Sequence, residues 1–115
     1  MYEGMIAETV VIQGDNGDQI DAYFARPTGP GPHPGVVVIH HMPGWDQDIK
    51  EITRKIAAQG YAAICPNLHQ RNGPGTAVEM SAATREAGGV PDAQFIGDTK
   101  GTVQYLLAQP YSSGK

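Results

Sequence analysis

Gly35-Val36-Val37-Val38-Ile39 is an unbroken β-branched run with no apolar-polar alternation. Alternation is what a strand shows when one face meets water, so its loss points to a strand covered on both faces in a parallel sheet. Parallel neighbours need a crossover, and the residues that follow supply one. Ile49, Ile52, Ile56 and Ala57 recur at helical spacing behind the acidic first turn of Asp46 and Asp48, and Gly60 stands where a helix end needs a left-handed residue. The pattern predicts a helix over 46–59. Tyr61-Ala62-Ala63-Ile64-Cys65, closed by Pro66, is a second short apolar strand, so the whole reads as a βαβ unit.

Upstream the texture differs. Pro27, Pro30, Pro32 and Pro34, with Gly29 and Gly31 among them, make an extended surface connection that can be neither helix nor central strand. Before it, Thr9-Val10-Val11-Ile12 and the alternating residues 20–25 flank Gly14-Asp15-Asn16-Gly17-Asp18, a turn sequence, and so form an antiparallel hairpin. Downstream, residues 68–90 show no clean period and read as a long loop with one helical turn near 78–85. Pro91 then opens a helix to about 109, with Phe95, Thr99, Val103, Leu106 and Leu107 along its expected inner face and Asp92 near its positive end.

The fold class is therefore α/β: an antiparallel β-hairpin leading into a parallel βαβ sheet with flanking helices, in one domain spanning 1–115. The order ends on a helix with no following strand, so the sheet is expected to be incomplete, with an apolar edge left open.

A chain of 115 residues can hold one compact core, and 40% hydrophobic content argues against disorder. The formal charge of −4 lacks the clustered Lys and Arg that nucleic acid requires. No apolar run is long enough for a bilayer, and Met1-Tyr2-Glu3 does not open a secretory leader, so the expectation is a cytoplasmic protein with no nucleic-acid or membrane partner. Cys65 is the single cysteine and is expected to be a packed thiol. The spacing of His40, His41 and His69 matches no standard metal site, and no metal or cofactor is expected.

Three separated segments resemble the dienelactone hydrolase family, in its order. They are Gly60-Tyr61-Ala62-Ala63-Ile64-Cys65-Pro66-Asn67-Leu68, where the family more often has Asp than Asn67; Arg71-Asn72-Gly73-Pro74-Gly75-Thr76, similar to Arg-x-x-Pro-Gly-Thr; and Gln109-Pro110-Tyr111-Ser112-Ser113-Gly114-Lys115, which looks like the approach to the nucleophile strand. The resemblance implies the N-terminal half of an α/β-hydrolase fold. It also implies cleavage of an ester or lactone through a covalent acyl-enzyme, with a Cys or Ser nucleophile on a glycine-flanked elbow and a later Asp and His, none of them in this chain. On that basis the 115 residues alone are expected to be inactive, with the other half of the fold as their partner.

What the resemblance assigns to this half begins with the loop His40-His41-Met42-Pro43-Gly44-Trp45. In α/β-hydrolases that loop supplies one backbone N–H of the oxyanion hole, and by position the donor is Met42. His41 stands where the family often has a Glu tied to switching the nucleophile on. It either hydrogen-bonds nucleophile or substrate, or shapes the loop. His40 either faces substrate or satisfies a buried backbone group at the strand end. Arg71 matches the family's arginine that holds a substrate carboxylate, a task suited to a planar fork of donors. Trp45 either walls the pocket or packs on the following helix. A second class of function, a non-catalytic flavodoxin-like binding or scaffold subunit, would need a phosphate-cradling turn after the 35–39 run, where His-His-Met-Pro-Gly-Trp stands instead.

Overall fold

A computed structural model describes residues 4–29, 31–40 and 44–114. The expected hairpin forms from β1 (Met5–Gln13) and β2 (Gln19–Pro27), which pair antiparallel with Val10 opposite Ala22 and Ile12 opposite Ile20. A 3-10 turn over Asp15–Gly17 joins them, with Asn16 at φ 57° and Gly17 at φ 75°, the two residue types that tolerate a left-handed backbone. Then come β3 (Gly35–Val37), α1 (Gln47–Ala57) and β4 (Ala62–Pro66), and β3 and β4 pair in parallel as the βαβ pattern requires. The sheet order is β1-β2-β4-β3. Two of its three ladders are antiparallel, which excludes the all-parallel flavodoxin arrangement.

The strand buried on both faces is β4 rather than β3. Every residue of β4 is buried, because β2 and β3 flank its edges and α1 and a later helix cover its faces. The 35–39 run forms only three strand residues, half-buried, and Ile39 is 39% exposed. Val38 N–H still reaches Ile64 O at 2.8 Å. Among the described residues the other edge of β3 is unpaired.

Helix α1 starts where expected. Asp46 caps it by accepting from Ile49 N–H at 3.0 Å, and Gly60 follows at φ +102°. Its buried face is Ile49, Thr53 and Ala57, while Ile52, expected inside, is 47% exposed. The 68–90 segment holds more helix than its period suggests: α2 (Ala77–Glu86) is opened by a reciprocal capping box, with Glu79 N–H donating to Thr76 Oγ1 and Thr76 N–H to the Glu79 carboxylate. That Thr-x-x-Glu signal stood in the sequence.

The last helix, α3 (Asp92–Leu107), has the expected span but not the expected face. Asp98, Thr102 and Leu106 are buried, whereas Phe95, Val103 and Leu107 are 37%, 40% and 51% exposed. Glycines set this rotation. A Cβ added at Gly101 would stand 1.8 Å from Gln13 O, and one at Gly97 would strike the Asp15 side chain, so α3 lies against the β1–β2 turn along a strip that only Gly can line.

The result is three layers. On one side of the sheet Ile12, Ile20, Ala22, Phe24, Ile64 and Leu106 pack beneath α3, with Tyr105 and Tyr111 at the margin. On the other, Ala25, Ala57 and Ala63 and then Val38, Ile49, Cys65 and Trp45 pack beneath α1. Among the described residues no helix is long and apolar enough to cross a membrane.

Candidate active site

Parallel pairing brings the carboxyl ends of β3 and β4 side by side, so the two loops that leave them share one rim of the sheet. In open α/β sheets that rim is where ligands bind. His40 leaves β3 and His69 leaves β4; their rings meet edge to face with centroids 4.6 Å apart. His40, 5% exposed, accepts the Leu68 N–H at Nε2 over 2.9 Å. A ring nitrogen that accepts carries no hydrogen, so this bond requires the neutral imidazole. His40 thus does what a buried strand-end histidine can do, satisfying a backbone donor and tying the two exit loops together.

His69 is 9% exposed, and its Nδ1 has no hydrogen-bond partner among the described residues. Burial and, after it, the charge of Arg85 hold its pKa below the ordinary 6.5. Asn67, also buried, accepts His69 N–H at Oδ1 and directs Nδ2 to Met80 Sδ. Gly44, at φ +88°, sits against this group: a Cβ there would lie 3.2 Å from Ala77 O and 3.4 Å from His69 Nδ1. The segment 41–43 is therefore flanked by two held residues. His41 and Met42, the residues on which the oxyanion expectation rests, lie outside the described residues.

Arg71 has protein partners for its fork. Nη1 and Nη2 donate to the two oxygens of Asp98 at 2.8 and 2.9 Å, Nε donates to Asp18 at 2.8 Å, and Nη2 also reaches Asp15 O. Asp98 is fully buried and receives Asp15 N–H as well. The structure thus places Arg71 between the β4 exit loop, the hairpin turn and α3. Trp45 packs beneath α1: its Nε1 donates to Cys65 O at 2.9 Å and Lys50 of α1 lies 3.9 Å above its ring. Cys65 is fully buried, and burial pushes its thiol pKa up to about 12, which suits a packed thiol and not a nucleophile.

Two cavities open at this rim. One, of about 390 Å³, lies under the Gly73-Pro74-Gly75 turn beside Asp21, Asn67 and Gln70. The other, of about 260 Å³, is lined by residues that include His40, Leu68, His69, Arg85, Val90 and Phe95. Sequence reasoning missed Asp98, whose only local signal is an acidic residue between Gly97 and Gly101.

The dienelactone hydrolase family model matches residues 20–115. Carboxymethylenebutenolidases of Pseudomonas putida and Pseudomonas knackmussii are each 31% identical over 96% of this chain, which spans 49% of theirs. Among solved structures, a dienelactone hydrolase-like promiscuous phosphotriesterase from metagenomic libraries superposes with a TM-score of 0.74 at 27% identity, over 96% of this chain and 46% of that one. The chain spans about half the length of the relatives it matches, and within that half it has the α/β-hydrolase architecture.

Proposed function

From the chain's membership of the dienelactone hydrolase family, we propose that it forms the oxyanion-loop and substrate-wall side of a hydrolase that cleaves a small ester or lactone by way of an acyl-enzyme. The nucleophile, acid and base come from the other half of the fold. The observation that carries this is the shared rim of β3 and β4, where His40 and Gly44 hold the ends of the loop that bears Met42. The Met42 backbone N–H is the donor for the negative oxygen of the tetrahedral intermediate, an interaction worth about 3–4 kcal/mol of barrier. His41, its neighbour in sequence, either hydrogen-bonds the nucleophile or the substrate or shapes the loop.

Two features support the division of labour. Ser112 bridges His33 in parallel, with His33 N–H donating to Tyr111 O and Ser113 N–H to His33 O, so the segment after α3 returns beside the entrance to β3 and its open edge. Phe95, Val103 and Leu107 form an exposed apolar stripe at multiples of four residues on α3, away from the face that packs on the hairpin turn. A further strand and its helices would cover both.

Nitrophenyl ester hydrolysis tests the proposal. The 115-residue chain alone is expected to give no turnover above background, and the chain joined to its C-terminal half to give a burst followed by steady turnover. A burst from the 115 residues alone would overturn the division of labour, and an inert joined protein would overturn the hydrolase reading.

A further inference from the structure

We propose that the open edge of β1 is an interface on which a second copy of this chain pairs, strand against strand, about a two-fold axis through Thr9. β1 is the outer strand at the opposite end of the sheet from β3, and the bonds of the hairpin fix which way its backbone points. Gly14 N–H donates to Asp18 O and Thr28 N–H to Gly4 O, just beyond the two ends of the β1–β2 register. The even-numbered residues between them therefore direct their N–H and C=O groups to β2, and the odd-numbered ones turn theirs outward. On the far side of β2, Asn67 N–H donating to Asp21 O obeys the same parity. At Gln13 the outward carbonyl lies against Gly101 of α3. Gln13 would fall opposite Met5 of the second copy, so the shared ladder consists of Ala7, Thr9 and Val11, with Thr9 at its centre.

Proteins blunt an exposed edge with Lys, Pro or a bulge. β1 has none of these: its nine residues keep a continuous register with β2, and Glu8 is their one charge. Ala7, Thr9 and Val11 are exposed, Val11 by 55%. Self-complementarity selects the occupant. An axis at Thr9 sets Ala7 of one copy against Val11 of the other and Glu8 against Val10, so no like charges stand opposite, whereas an axis at Glu8 would oppose two carboxylates. The same axis carries Ile6 alongside Ile12 of the other copy. There a groove of about 280 Å³ lies between β1 and α3, lined by Ile12, Gln104 and Tyr105 among others. Ile6, half-buried in a single copy, enters that groove at both ends of the ladder by symmetry. The contact is small beside the roughly 1,200–2,000 Å² of stable complexes, so the pair is a weak one. The strand that completes the sheet in the hydrolase reading joins at β3, so this interface rests on the fold and not on the reaction.

Sedimentation equilibrium of the 115-residue chain is expected to show a monomer–dimer equilibrium in the high micromolar range. In a mixture of isotope-labelled and unlabelled chains, an Hα–Hα contact between Glu8 and Val10 of different copies is expected, because those residues oppose one another between the hydrogen-bonded pairs. Thr9→Lys and Thr9→Glu, at an exposed position, each set two like charges on the axis and are expected to weaken dimerisation by about fivefold. Mixed in equal amounts, the two variants place opposite charges there and are expected to recover it. A chain that stays monomeric, association indifferent to both substitutions, or a mixture no stronger than its parts would overturn the proposal.

Discussion

Arg71 and Asp98 meet as a two-pronged ion pair, Nη1 to Oδ2 at 2.8 Å and Nη2 to Oδ1 at 2.9 Å, with the carboxylate fully buried and the arginine side chain 22% exposed. The pair joins the β4 exit loop to the middle of α3 across 27 residues of chain. It is the brace that fixes one side of the candidate site.

Removing one partner leaves the other charge buried and uncompensated. Arg71→Leu is therefore expected to lower unfolding stability by about 3–5 kcal/mol, and Arg71→Lys, which keeps the charge but loses the fork, by less. Urea denaturation measures both. A loss below about 1 kcal/mol for Arg71→Leu would mean that the pair braces nothing, since that is the range of exposed pairs.

Gly101→Ala tests the close approach of α3 to the hairpin. Helix propensity alone favours the substitution by about 1 kcal/mol. The added Cβ, however, would stand 1.8 Å from Gln13 O, so α3 must lift away from β1. The expected outcome is net destabilisation of about 2 kcal/mol or more, and a stabilised variant would refute the packing of α3 described above.

His69 makes stability depend on pH in a stated direction. Its folded pKa lies below the ordinary 6.5 because it is buried and near Arg85, so the unfolded chain binds its proton more readily. The His69 contribution is complete above pH 6.5 and is lost as pH falls from there toward the folded pKa. His69→Gln is expected to flatten that part of the stability curve. An identical slope in the variant and the parent protein would show that another group is responsible.

Cys65 is fully buried, with its thiol pushed up to about 12, so it is protonated and shielded at neutral pH. A disulfide reagent is expected to leave it unmodified in the native protein and to react fully in denaturant. Rapid labelling of the native chain would contradict the packing of β4.

Local chemistry made several elements legible in the sequence. Asn16 and Gly17 at left-handed angles close the hairpin, Asp46 caps α1, and the short apolar runs on either side of α1 can pair only in parallel once a helix connects them. The family signal in Arg71, Pro74, Gly75 and Thr76 was equally local. For α3 the periodicity marked an apolar stripe correctly as a stripe but not which face meets the hairpin, because Gly97 and Gly101 allow a closer approach than any side chain would.

The amino-acid order alone therefore determined the elements other than α2, which was read as a single helical turn, together with their connectivity and the family, since turns, caps and patterning act within a few residues. Tertiary structure decided which groups are engaged: that β4 and not β3 is enclosed, that His40 serves the Leu68 amide, and that the Arg71 fork is taken by Asp98 while Arg85 stands at the cavity. A side chain's role depends on which donors, acceptors and charges surround it. Those neighbours come from segments dozens of residues apart, which only the folded sheet brings together.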